Sequence, residues 1–150
     1  GFAKIDNLQL INKNLKKSIE PNSILQQAYK MMGIPYLWGG NSAKANDCSG
    51  FTQTVFKANG IQLPRDARQQ ALEGITITPN KHWSNINKGD LLFFGKEDKI
   101  THVGISIGGK DFIHQGGKVS INSLDERSEY FSPKRLESFL NVKRIVGISS

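Results

Sequence analysis

The sequence predicts an α+β domain in which N-terminal helices pack on an antiparallel β-sheet. Three observations lead there. Apolar residues in the first half of the chain recur at helical spacing. The second half changes to short β-rich runs separated by glycines. The two patterns follow one another rather than alternate, which separates this layout from a wound βαβ fold. A chain of 150 residues suits one domain with one real core.

Residues 1–21 are polar and rich in Asn and Lys, apart from "LQLI", and read as a lead-in. Pro21 permits a helix start and Ser23 can cap it; Ile24, Leu25, Ala28, Tyr29 and Met32 then keep a helical period, and Gly33 closes the segment. "IPYLWGGNSAKAND" reads as a loop from its Gly, Pro and Asn content. From Cys48 to Asn59 the apolar positions Phe51, Val55, Phe56 and Ala58 share a helical face, and Gly60 is the stop. A short helix is expected over Asp66–Glu73, followed by Gly74. "GDLLFFG", "THVGISIGG", "DFIHQGG" and "KVSINSL" then predict an antiparallel meander, "SPKRLESFL" a short helix and "VKRIVGI" a last strand. No internal repeat or low-complexity stretch interrupts this order.

Composition excludes several classes. No run approaches the roughly 18 apolar residues of a membrane span. A single cysteine leaves no internal disulfide and no zinc site built on paired cysteines. The start, "GFAKIDNLQL", has neither an initiator Met nor the build of a signal peptide, so a mature product or a fragment is expected. The formal charge of +7 comes from scattered Lys and Arg. Without interleaved aromatics or a known module, it reads as a solvated basic surface rather than a nucleic-acid interface; attraction to an anionic surface such as a bacterial wall is the functional alternative.

The one thiol, Cys48, falls at the first turn of its predicted helix. There the unpaired backbone N–H groups and the helix dipole favour a thiolate, and Gly50 lets another chain or a substrate approach closely. A cysteine kept for packing would more often lie mid-helix among apolar neighbours. A nucleophile needs a base. His102 begins one predicted strand and His114 ends the next, 114 − 102 = 12 residues on, so a "GGKD" turn would make their rings cross-strand neighbours. One imidazole would take the thiol proton and the other would orient the first. His82, beside Trp83 in a loop-like stretch, has no partner in this scheme. Zinc ligands usually come in pairs two to five residues apart. No two Cys or His residues here are closer than 12, so no metal site is expected.

The motifs "PYLWGG", "DCSGF", "LPRDARQQ", "GDLLFF", "THVGISIG" and "FIHQGGKVSINSL", in this order from about residue 22 to 148, resemble the NlpC family of papain-like cysteine peptidases that cut bacterial cell-wall peptides. The "NSL" ending is most similar to the branch that hydrolyses the γ-D-glutamyl bond to a diamino acid, the dipeptidyl-peptidase VI type. The resemblance implies a papain-like fold over 22–150, with Cys48 as nucleophile, His102 as base and His114 as the orienting residue. It adds Tyr36 as a hydroxyl donor to the oxyanion, beside the Cys48 backbone N–H. Asp47 and Ser49 match residues that grip the free amino group of an N-terminal L-Ala, and Trp38, Arg65 and Asp66 belong to the implied substrate pocket. Arg65 could pair with the α-carboxylate of D-Glu or pin its own loop to an acid. Ala67 stands where a hydroxyl residue is common.

The resemblance further implies that peptidoglycan stem peptides are the substrate. It implies no cofactor and an extracytoplasmic setting in the periplasm or wall, with cytoplasmic peptide recycling as the alternative. "GFAKIDNLQLI" resembles the last strand of the SH3-like domain that precedes such peptidases, so a further domain is expected ahead of residue 22. The rival readings are an amidase or transacylase with the same triad, a non-catalytic wall-binding module and a basic nucleic-acid binder.

Overall fold

A computed structural model describes residues 19–42 and 44–148. The suggested remnant of a preceding domain lies outside them, except for its last three residues. Helix α1 spans Pro21–Lys30, with Pro21 at its first position, where a missing N–H costs nothing. Glu20 occupies the cap position. Ser23 is not the cap: it lies inside the first turn, and its N–H donates to the Glu20 carbonyl. Ile24, Leu25 and Ala28 are buried, and Met31 continues the stripe. Tyr29 and Met32 are 44% exposed, so the buried face runs one residue off the expected one.

Helix α2 spans Cys48–Ala58 and buries Phe51, Val55 and Phe56 completely, while Ala58 stays exposed. Gly60 follows with φ +80°, the left-handed stop that its lack of a Cβ allows. Helix α3 is only Ala67–Gln70, half the expected length, because the chain leaves the helix at Ala71 and turns toward Gly74.

Six strands form one antiparallel sheet: β1 (Ile75–Ile77), β2 (Leu91–Lys96), β3 (Lys99–Gly108), β4 (Asp111–Gln115), β5 (Val119–Ser123) and β6 (Phe139–Arg144). Helix α4 (Pro133–Ser138) leads directly into β6. The order across the sheet is β1-β6-β2-β3-β4-β5. The meander β2 to β5 is the predicted one, and β6 adds on its far side. Strand β1 was not expected; three residues, Ile75–Ile77, are too few to carry a readable strand period. The β2–β3 hairpin turns at Glu97 and Asp98, both at positive φ (51° and 65°), as a primed two-residue turn requires.

Strand β2 explains the run "LLFF". Leu91 and Phe93 face α1 and α2 together with Val103, Ile105 and Ile113, while Leu92 and Phe94 pack on the other face with Phe112 and Val142. A strand covered on both sides reads as continuous apolar sequence. Phe94 pairs with His102, so the histidine shares the second face with Phe94 and Phe112. The β3–β4 ladder begins only at Gly104–His114, leaving Thr101 to Val103 without a β4 partner where α2 begins.

Candidate active site

Asp47 caps α2: its carboxylate accepts from the Gly50 N–H at 2.7 Å and the Gly39 N–H at 3.1 Å. Cys48 is therefore the first helical residue, and its own N–H has no intrahelical acceptor. Gly50 is obligatory for a reason other than the one expected. A Cβ there would lie 2.0 Å from the Gly40 carbonyl oxygen, so the close approach is made by the protein's own "WGG" loop and not by a substrate. The Cys48 Sγ lies 4.0 Å from the Thr101 carbonyl oxygen, in the gap that β4 leaves open.

The histidines meet directly. His102 Nε2 lies 2.7 Å from His114 Nδ1, and His114 Nε2 lies 2.7 Å from Asn122 Oδ1. His114 pairs in register with Gly104, not His102, so the ring contact is diagonal across a residue that has no side chain to block it. Gly116 serves the same end, since a Cβ there would come 2.7 Å from His114 Cε1.

Asn122 decides the protons along this chain. Its Nδ2 donates to the Tyr130 carbonyl at 3.1 Å, which turns its Oδ1 to His114. His114 must then carry its proton on Nε2 and accept at Nδ1. His102 in turn donates from Nε2, which leaves His102 Nδ1 unprotonated. Sequence reading missed Asn122. The signal lay in "HQGGKVSIN": a tight β4–β5 connection brings the residue eight positions on back beside His114.

Burial holds both imidazoles neutral. His102 is pushed well below the usual histidine range, first by desolvation and then by the charges of Arg135, His114 and Lys134. His114 falls to about 4, again mainly by desolvation, against the hydrogen bond to Asn122. Burial also pushes the Cys48 thiol up, and the Asp47 charge adds to it. The N–H groups of Val103 and Ser49 and the Arg135 charge act the other way without prevailing. The helix start was expected to favour a thiolate; in the folded protein desolvation outweighs it, and the pair rests as thiol and neutral imidazole.

A pocket of about 520 Å³ opens beside Cys48. Tyr36, Trp38, Asp47, Ser49, Arg65 and Asp66 line it, with Ala67, Arg68, Ile100 and Thr101. The fold thus brings Cys48 and the expected pocket residues to one place; the two histidines do not line this pocket, and Thr101, against the Cys48 Sγ, is the neighbour of His102 in β3. Arg65 grips Asp47 with both arms, Nη1 to Oδ1 at 3.1 Å and Nη2 to Oδ2 at 2.9 Å, and also donates to Ser49 Oγ and the Gly40 carbonyl. Of its two expected uses, pinning the loop is the one its contacts satisfy. This fork outweighs burial and holds the Asp47 carboxyl below the usual range. Tyr36 is 40% exposed, and its phenol is raised by burial and by the neighbouring Cys48 and Asp47 charges. Trp38 is 86% exposed at the rim. Buried Gln70 was also missed; it donates to the Ser49 and Pro64 carbonyls and accepts from Thr52, locking the "PRD" segment to the first turn of α2. His82 is exposed and remote from this site. Among the described residues no cluster of His, Cys, Asp and Glu is placed to hold a metal ion, and no helix is long and apolar enough to cross a membrane.

A cysteine at a helix start, set against a histidine relay on an antiparallel sheet, has clear counterparts. The profile of the NlpC/P60 family matches residues 33–138. The chain belongs to the NlpC/P60 family. A γ-D-glutamyl-L-lysine dipeptidyl-peptidase of Bacillus subtilis is 41% identical over 109 residues, covering 69% of this chain and 36% of that protein. Its Bacillus cereus namesake is 34% identical over 96 residues, 62% of this chain and 28% of that protein. A Bacillus cereus NlpC/P60 family crystal structure superposes with a TM-score of 0.73 at 30% identity, over 86% of this chain and 41% of that one. The chain thus spans about a third of the length of the curated relatives it matches. The fold is the papain-like α+β arrangement of this family.

Proposed function

We propose that this NlpC/P60 domain is a cysteine endopeptidase that hydrolyses the γ-D-glutamyl–diamino acid bond of peptidoglycan stem peptides bearing a free N-terminal L-Ala. The observation that carries the reading is the relay from the Tyr130 carbonyl through Asn122 and His114 to His102. It leaves one basic nitrogen for the thiol of Cys48, at the edge of the pocket that holds Asp47.

In this reading His102 Nδ1 takes the Cys48 proton as Sγ attacks the γ-carbonyl carbon of D-Glu. The Cys48 backbone N–H and the Tyr36 hydroxyl stabilise the oxyanion. Collapse breaks the C–N bond, and the imidazolium of His102 gives its proton to the departing amine. His102 then activates a water that attacks the thioester, and Cys48 leaves and recovers its proton. Asp47 receives the substrate ammonium; Arg65 keeps this carboxylate ionised and aimed. Ser49 supplies a hydroxyl beside them, and Trp38 and Asp66 wall the pocket. The bond choice is supported by the relatives named for a γ-D-glutamyl-L-lysine activity. A relative named as a murein endopeptidase and the +7 charge support an extracytoplasmic setting at the anionic wall.

The test is mass spectrometry of digests of L-Ala-γ-D-Glu-L-Lys, L-Ala-γ-D-Glu-meso-diaminopimelate and their N-acetyl forms, with Cys48→Ala as control. The expected product is L-Ala-D-Glu, from the free-amine peptides and the wild type only. Equal cleavage of acetylated peptides would remove the role given to Asp47. Activity confined to poly-γ-glutamate or to D-Ala–diaminopimelate cross-links would replace the proposed bond.

A further inference from the structure

Of the five arginines, three hold carboxylates: Arg65 grips Asp47, Arg127 Asp125 and Arg144 Asp90. Arg68 and Arg135 have no carboxylate within 4.0 Å among the described residues. Arg68 is exposed on the pocket rim. Arg135 is half-buried on α4, does not line the pocket, and lies near enough for its charge to act on both Cys48 and His102. Its guanidinium lies over the ring of Phe94, 5.9 Å from the centroid, and that fully buried ring lies 5.6 Å from the ring of His102. Ser132 caps the helix onto the Arg135 N–H, which fixes the base of the side chain.

A guanidinium on an aromatic face keeps its N–H edges free for a planar anion. One left half-buried without a counter-ion has given up part of its hydration, and an anion would restore it. In the pocket on the Asp47 side Arg65 is already paired, and Arg68 stays exposed at the rim, where water serves it. We propose that Arg135 is a leaving-side anion site, which binds a carboxylate on the half of the substrate that departs from Cys48. Under the bond assigned above, on which this step rests, that half is the diamino acid. Its carboxylate is either the α-carboxylate of a tripeptide end or the distal carboxylate of diaminopimelate. An extended residue spans roughly 3.5 Å, so both carboxylates lie within one or two residue lengths of the scissile bond.

The experiment has two arms. In the first, kcat and KM are measured for L-Ala-γ-D-Glu-L-Lys and L-Ala-γ-D-Glu-meso-diaminopimelate, each with its carboxylates free or singly amidated, using wild type, Arg135→Gln and Arg135→Lys. Masking the recognised carboxylate should raise KM roughly tenfold in the wild type, change little in Arg135→Gln and act partly in Arg135→Lys. Which amide matters identifies the source. An amidation effect equal in wild type and Arg135→Gln overturns the proposal.

The second arm needs no peptidase activity. Cys48 is alkylated with iodoacetate and iodoacetamide, which carry the same leaving group with and without a carboxylate. Arg135→Gln should lower the iodoacetate-to-iodoacetamide rate ratio several-fold, and Arg135→Lys should hold it near the wild-type value. An unchanged ratio overturns the anion site. A lowered ratio with no peptide cleaved upholds the site and rejects the bond.

Discussion

The two sides of Cys48 solve opposite problems. On the pocket side the polar groups are charged: Asp47 accepts two backbone N–H donors and a bidentate arginine, near solvent. On the sheet side the relay itself is neutral: two buried histidines end on an amide and a backbone carbonyl. Charge stays where a matched fork and water share its cost. A carboxylate in place of Asn122 would pull a second proton onto His114 and turn its Nδ1 into a donor. His102 would then have to accept at Nε2 and would lose its free nitrogen at Nδ1. Recognition can use charge, whereas the general base needs a neutral support.

The largest effect should come from Gly50→Ala, which attacks the pocket side through the Gly40 carbonyl, acceptor for both the Asp47 N–H and Arg65. Moving that loop away breaks the cap at Asp47 and the third contact of Arg65. We expect a loss of about 3 kcal/mol in urea unfolding. A loss under about 0.5 kcal/mol would mean that the loop yields freely. Next is the neutral side. Asn122→Leu should cut kcat about a hundredfold with KM little changed, because His114 can then present either tautomer. Asn122→Asp should impair kcat as well and move the acid limb of the pH–rate profile upward. Full activity in Asn122→Asp would sink the neutral-support argument.

Much of this was legible in the sequence, for reasons tied to particular residues. The start of α2 is readable because Asp47, Cys48 and Gly50 are local signals, and the meander is readable because glycines punctuate it. The histidine pairing followed from a spacing of 12 and a short turn, although its diagonal register depends on Gly104. Gln70 was illegible because an amide gives no sign of what it will bond until the helices have met; Asn122 had only the short β4–β5 turn to place it. The same holds for Arg65, whose two possible partners differ only in three dimensions. Tyr29, Met32 and Ala58 were misplaced because an apolar residue on a helix flank can face either way. Strand β1 exists only because β6 offers it an edge.

A smaller effect is expected from Asp47→Asn. Asparagine still caps α2, but half-buried Arg65 loses its counter-ion, at about 1–2 kcal/mol of stability. On this reading KM for the free-amine peptide should rise, while alkylation of the thiol by a neutral reagent remains. Unchanged KM would mean that the ammonium is held elsewhere.

The smallest effect is the most direct reading of the contrast, because the two sides push the Cys48 thiol in opposite directions. Burial and the Asp47 anion raise it, while Arg135 on the sheet side lowers it. With His102 held neutral by its own burial, the thiol has no imidazolium partner before substrate arrives. The rate of iodoacetamide alkylation against pH should therefore rise with an inflection above the ordinary thiol value of 9.0. Asp47→Asn should shift that inflection down and Arg135→Gln should shift it up, each by its loss of one charge. A preformed thiolate–imidazolium pair would instead give a reactive plateau reaching well below pH 7, and would place the charge on the side of Cys48 argued here to be neutral.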